Sequence, residues 1–234
     1  MSTDPTPGHA VVTGATGGIG QAIVQRLLDG GWRVTGLDLG PAVARHAAYR
    51  HVEVDLCDDA ATRQASQALD DVTALVHAAG LLRVAPLAQS DPADGERMWK
   101  LHVDAAVRLT RDLAPAMVAR GAGRVVLVGS RVAQGMPGRG QYAASKAALV
   151  ALARSWGAEL AGNGVTVNVV SPAATQTGML DDPARAASPA RLPPIGRLIQ
   201  PAEIAALVAF LLSAEAAAIT GQDIAICGGA SLPR

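Results

Sequence analysis

Residues 10–28 hold the pattern that most constrains this chain. A short apolar run, Ala10-Val11-Val12, leads into Thr13-Gly14-Ala15-Thr16-Gly17-Gly18-Ile19-Gly20, after which Ala22, Ile23, Leu27 and Leu28 keep helical spacing. Strand, glycine loop and helix in that order commit the chain to a βα unit. Glycines at 14, 18 and 20 let the backbone pass close to a pyrophosphate, and the helix N-terminus turns unpaired N–H groups toward the anion. A second apolar run at 32–37 ends in Asp38, about twenty residues beyond the loop, where a carboxylate accepts both ribose hydroxyls and repels a 2′-phosphate. Leu39 follows, and no Arg stands beside Asp38. The pattern therefore predicts NAD as cofactor, in preference to NADP.

The alternation continues to the C-terminus. Strands are predicted at 52–54, 72–76, 124–129, 165–171 and 222–227, and helices at 58–69, 92–118 and 201–212, with a further helix carrying Tyr142 to about residue 161. The long stretch 92–118 is expected to bend or break near Pro115, and Gly162-Asn163-Gly164 supplies a helix stop. The fold class predicted is α/β: a single-domain, Rossmann-type, doubly wound parallel sheet over residues 1–234 with helices on both faces. Such sheets bind ligands at the carboxyl ends of their strands, where Gly14, Asp38, Asp55, Gly80, Ser130 and Ser171 fall. Residues 179–200 have little periodicity and are too long for a simple connection, so they are expected to form a substrate lid; residues 1–8 are expected to be disordered.

Gln141-Tyr142-Ala143-Ala144-Ser145-Lys146 sets a phenol and an ammonium one helical turn apart on one face. A nearby cation favours the phenolate, which brings a Tyr hydroxyl toward the range where acid–base catalysis is efficient. Lys100 and Lys146 are the only lysines in a chain that otherwise uses Arg, so Lys146 is poorly explained as surface filler.

Charge and composition exclude several classes of function. Lys plus Arg 20 balance Asp plus Glu 20, which leaves no whole-chain field for nucleic acid or an anionic membrane. Cys57 and Cys227 have no metal-ligand spacing, and no metal site is read. No apolar run has membrane-spanning length and the polar start is unlike a signal peptide, so a cytoplasmic protein is expected.

Taken together, these residues resemble the short-chain dehydrogenase/reductase family over almost the whole chain. The family's Thr-Gly-x-x-x-Gly-x-Gly loop matches Thr13 to Gly20, its Tyr-x-x-x-Lys pair matches Tyr142 and Lys146, and its catalytic serine matches Ser130. The resemblance implies that Ser130 holds the substrate oxygen, that Tyr142 exchanges a proton with it, and that Lys146 lowers the Tyr pKa and orients the nicotinamide ribose. It implies cofactor contacts from Gly14, Thr16, Gly17, Gly18, Ile19 and Gly20 in the loop, and from Asp38, Asp55 and Leu56 near the adenosine. Ala79, Gly80, Pro172, Thr175 and Thr177, with Tyr142 and Lys146, complete that set. It also implies a homotetramer.

Three positions depart from the family. His77-Ala78-Ala79-Gly80 stands for Asn-Asn-Ala-Gly, so hydrogen bonds that brace the sheet must be replaced or lost, and Ala173 stands for Gly after Pro172. His102 aligns with an Asn that helps hold a relay water. Two roles are open to it: an imidazole relay, which can donate and accept near neutral pH, or a satisfied helix histidine.

Within the family the likeness runs to 2,3-dihydro-2,3-dihydroxybenzoate dehydrogenases of siderophore pathways, through residues such as Val34 to Asp38, Gly80 to Arg83 and Ile219 to Ile224. That likeness implies a small carboxylated cyclic substrate, with a 2-hydroxyl or, as in antibiotic pathways, a 2-amino group. A carboxylate needs a cation; Arg83 and Arg131 are the first candidates, with Arg139, Arg185 and Arg191 on loops near them. A 3-oxoacyl or polyketide ketoreductase and a non-catalytic NAD-binding regulator are the rival readings.

Overall fold

The structure, a computed structural model, describes residues 8–180 and 191–232. The expected disordered start lies outside those residues except for Gly8, whose carbonyl accepts the Arg33 N–H at 3.1 Å. Among the described residues seven strands form one parallel sheet: β1 (His9–Thr13), β2 (Arg33–Asp38), β3 (Tyr49–Glu53), β4 (Val72–His77), β5 (Gly123–Val128), β6 (Val165–Pro172) and β7 (Asp223–Ile226). Their spatial order is β3-β2-β1-β4-β5-β6-β7, so the order of strand addition reverses between the parallel neighbours β1 and β4. The predicted doubly wound sheet is what forms.

Successive residues of a strand point to opposite faces, and here both faces are dry. Ala10 and Val12 of β1, Val126 and Val128 of β5, and Val170 of β6 meet α1 (Gly18–Asp29) and α6 (Pro201–Leu212) through Ile23, Leu27, Ile204, Val208 and Leu211. Val11, Val125, Leu127, Val167 and Val169 face the other way, onto α4 (Ala105–Arg120) and α5 (Gly140–Leu160) through Leu109, Leu113, Met117, Leu149 and Ala153. A continuously apolar strand such as β6 is thus explained by helices on both sides. Helix α2 (Asp59–Gln67) starts where Asp58 accepts the Ala60 and Ala61 N–H groups, a cap contributing about 1 kcal/mol.

The long helical stretch is interrupted, but not where expected. Pro115 sits inside α4 at an exposed position, and Arg111, whose carbonyl loses its helical partner there, is exposed as well. The irregularity comes earlier: α3 (Pro92–Trp99) passes into a π turn, Lys100–Asp104, before α4 begins.

The expected lid shrinks. Residues 195–200 belong to the body of the protein: Ile199 is buried and bridges to Thr175, and the Ile195 N–H donates to Gly228 O at 3.1 Å. Residues 179–180 and 191–192 edge a cavity, and 181–190, with Arg185, lie outside the described residues.

Candidate active site

A cavity of about 810 Å³ opens at the carboxyl ends of the strands. Its first end is made by the turn after β1. Gly14 has φ +64°, and a Cβ there would stand 2.7 Å from the Ala79 backbone; a Cβ on Gly20 would run into the Gly14 carbonyl. The turn is therefore tight against both β4 and its own helix. Asp38 closes this end: its Oδ2 accepts the Thr16 N–H at 2.9 Å and its Oδ1 the Gly40 N–H at 3.0 Å, which fixes the carboxylate at the tip of β2. Asp55 and Leu56 follow β3. The Cys57 N–H holds Asp55 Oδ1 at 2.8 Å, while Arg108 of α4 grips the Leu56 carbonyl at 2.8 Å and pairs with Asp59 at 2.6 Å. Arg108 was not foreseen, because a lone Arg in a helical pattern reads as surface.

These residues fit a dinucleotide. The first N–H groups of α1 lack intrahelical acceptors and face the glycine turn. Gly17 is the informative position: a Cβ there would meet protein only at an ordinary 3.4 Å, so nothing in the fold itself requires glycine, and the space suits a closely approaching phosphate. Thr16, Gly17, Ile19, Gly20, Ala79, Gly80, Pro172, Thr175 and Thr177 also line the cavity. Gly18 does not; it packs against Thr177, whose side chain would lie 2.8 Å from a Cβ there, so its glycine serves helix–loop packing.

The second end is built around α5. Ser130 lies just beyond β5, and its Oγ accepts the Val132 N–H at 3.2 Å, which leaves the hydroxyl proton to donate elsewhere. Tyr142 and Lys146 project from one face of α5 into the same cavity, with Lys146 Nζ 5.9 Å from the Tyr142 ring centre and donating to the Val128 carbonyl at 2.8 Å. Burial lowers the Lys146 pKa from 10.5 to about 7. The ammonium meant to acidify the phenol is thus itself weakly held in the dinucleotide-free protein.

Leu82, Val132, Met136 and Pro137 give this end an apolar wall. Three of these sit between Ser130 and Tyr142 in sequence, and a short connection tied to two site residues had to line the site. Of the arginines, Arg131, Arg139 and Arg191 line the cavity. Arg83 is not among them; its guanidinium lies 3.7 Å from Asp94 and donates to the Leu82 carbonyl at 3.2 Å. Among the described lining residues the carboxylates Asp38 and Asp55 follow β2 and β3, whereas Arg131 and Arg139 lie on the connection between Ser130 and Tyr142.

The departures at His77 and His102 also resolve. His77 replaces the bracing hydrogen bonds of an Asn through Thr13, whose Oγ1 lies 2.9 Å from His77 Nδ1 and accepts the Ala78 and Ala79 N–H groups at 3.1 and 3.0 Å. His102 is fully buried and not on the cavity wall. Its Nε2 accepts the Leu81 N–H at 3.0 Å and its Nδ1 meets Ser145 Oγ at 2.8 Å, so neither nitrogen is placed to pass a proton to a water, and the relay role is not supported. Asn168 is structural, joined to the Ile219 carbonyl (2.7 Å) and the Gln222 N–H (3.1 Å).

Comparison with known proteins follows the same lines. Residues 14–231 match a family model described as enoyl-(acyl carrier protein) reductase. The chain is 36% identical to the 2,3-dihydro-2,3-dihydroxybenzoate dehydrogenase of Escherichia coli K12, over 94% of this chain and 96% of that one. It is 33% identical to a 3-oxoacyl-[acyl-carrier-protein] reductase of Vibrio cholerae, again over 94% and 96%. The solved 3-ketoacyl-(acyl-carrier-protein) reductase of Brucella melitensis, complexed with NADH, superposes with a TM-score of 0.87 at 28% identity, covering 96% of this chain and 98% of that one.

Proposed function

The chain belongs to the short-chain dehydrogenase/reductase family, and from that premise we propose that it oxidises the ring alcohol of a carboxylated cyclohexadiene, 2,3-dihydro-2,3-dihydroxybenzoate or its 2-amino analogue. One observation carries the substrate class: Arg131 and Arg139, on the connection between Ser130 and Tyr142, line the same cavity as those two residues, beside Val132, Met136 and Pro137, which give an apolar wall suited to a ring. A forked guanidinium matches a carboxylate in two parallel hydrogen bonds.

NAD, when bound, supplies the hydride acceptor. Ser130 Oγ donates to the carbinol oxygen and orients it. Tyr142 takes the hydroxyl proton as the carbon gives up its hydride, so the alcohol leaves as a ketone that enolises to an aromatic ring. Lys146 favours the phenolate form of Tyr142 whenever it is charged. Preference for NAD over NADP rests on Asp38, whose two amide partners fix its charge where a 2′-phosphate would lie, with no cation among the described lining residues beside it. Met179, Leu180, Arg191 and Leu192, which line the cavity, support the reading of a substrate lid in this part of the chain. Exposed Trp99, Val107 and Phe210 on the outer helices support assembly as a homotetramer.

A second reading, reduction of a 3-oxoacyl thioester, is favoured by an equally extensive match to the Vibrio cholerae enzyme. Absorbance of the reduced dinucleotide separates the two: NADH accumulates with the dihydrodihydroxybenzoate or its amino analogue under our reading, whereas consumption of NADPH with an acetoacetyl thioester supports the second. Dinucleotide binding without turnover of either would favour a regulator.

A further inference from the structure

Beneath the catalytic helix lie three buried nitrogen bases, His77, His102 and Lys146, with no carboxylate among the described residues acting on them. Heavy-atom positions fix the imidazole tautomers. Thr13 Oγ1 accepts two amide protons, so its own proton goes to His77 Nδ1 and the His77 hydrogen sits on Nε2. That Nε2 makes no hydrogen bond among the described residues, and the carbonyls turned toward it are those of Leu101 and His102 in the π turn, where helical pairing is irregular. His102 is the complement. Its Nε2 is occupied by the Leu81 N–H, so its hydrogen sits on Nδ1 and goes to Ser145 Oγ, whose hydroxyl donates to the Tyr142 carbonyl at 2.9 Å. The same ring meets the Tyr142 ring edge-on, 5.6 Å between centres and 87° between planes.

We propose that His102 is a positioning residue: a neutral imidazole, held as its Nδ1–H tautomer, that ties the loop after β4 to the first turns of α5 and so sets Gly80 and Leu82 against Tyr142 and Lys146. The inference rests on Tyr142 being the acid–base group. Neutrality is part of the device. A Cβ on Gly80 would lie 3.3 Å from His102 Nε2 and 3.6 Å from Lys146 Nζ, so an imidazolium would crowd the ammonium. Burial first, then Lys146 and His77, hold the His102 pKa well below its ordinary value. The π turn supplies the geometry, rotating residue 102 inward between the loop and α5.

Nitrogen-15 NMR of the histidine-labelled wild-type protein tests this with no substrate, so its result is independent of whether the enzyme reading holds. The His102 ring keeps the neutral Nδ1–H pattern from about pH 5 to pH 9; titration within that range, or an Nε2–H ring, overturns the proposal. Kinetics of variants give the second readout. H102L is expected to lower kcat by about tenfold to a hundredfold through displacement of Tyr142, and to weaken dinucleotide binding by a smaller factor through the Gly80 loop. H102Q, whose amide accepts from Leu81 and donates to Ser145, restores kcat to within about threefold. An H102Q enzyme as impaired as H102L would mean that the imidazole carries a proton, against the proposal. S145A keeps the test alive if H102L does not fold: it cuts the link to α5 and lowers kcat in the same sense, whereas a wild-type rate would overturn the clamp.

Discussion

The two ends of the cavity are made from different materials. The dinucleotide end is mostly backbone: the Gly14 turn, the start of α1, and two amide N–H groups that hold Asp38. The substrate end is mostly side chains on loops, with Arg131, Arg139 and Met136 reaching in from segments that no strand ladder fixes. Backbone cradles tolerate few sequences and serve one ligand class; loops of side chains are free to change with the substrate. Tyr142 and Lys146, on a helix packed over the full length of β6, stand between the two.

Tyr142→Phe sharpens this contrast most. It removes the proton acceptor and no wall, so turnover is expected to fall by about 10² to 10⁴ while dinucleotide affinity, read by fluorescence titration, holds. Comparable loss of binding would erase the division. Gly17→Ala adds a Cβ whose one protein contact is the Gly14 carbonyl at 3.4 Å, so dinucleotide Kd should rise about tenfold at a nearly unchanged melting temperature. A fall in melting temperature instead would make Gly17 a structural glycine. At the other end, Arg131→Gln and Arg139→Gln should each raise KM for a carboxylated substrate by roughly tenfold, with dinucleotide Kd untouched.

Lys146 links the site to stability. Its folded-state pKa of about 7 lies below the ordinary 10.5, so between those values the unfolded chain holds the extra proton. Stability of the dinucleotide-free protein therefore rises with pH across that window, by about 1.4 kcal/mol per unit at most, and the cost of burying the ammonium is fully present below it. Urea midpoints at pH 7 and pH 9 measure the slope, and Lys146→Met should flatten it. The smallest effect is expected at Arg83→Gln: an exposed pair with Asp94 contributes little, and steady-state constants should stay within about twofold.

The same contrast explains what the sequence made legible. Gly14, Asp38, Asp55, Gly80 and Ser130 were readable because a parallel strand ends in a known place, and the residue after it has nowhere else to go. Arg83 follows such an end by six residues, and one of its partners is Asp94, eleven positions on, a pairing that no periodicity encodes. The His102 clamp was invisible for a related reason. Its partners Leu81 and Ser145 lie 21 and 43 residues away, on elements whose contact depends on a π turn that hardly alters the apolar spacing. Pro115 does not break α4: it lies at an exposed position, where the helix continues despite the lost hydrogen bond.

The account stands or falls on whether Tyr142 mediates alcohol oxidation with NAD. Absorbance at the NADH band, with purified protein, NAD and racemic 2,3-dihydro-2,3-dihydroxybenzoate, is predicted to rise in wild type and to stay flat with Tyr142→Phe while that variant still binds NAD. A flat trace for wild type that binds NAD, or an equal rise in both proteins, would contradict it.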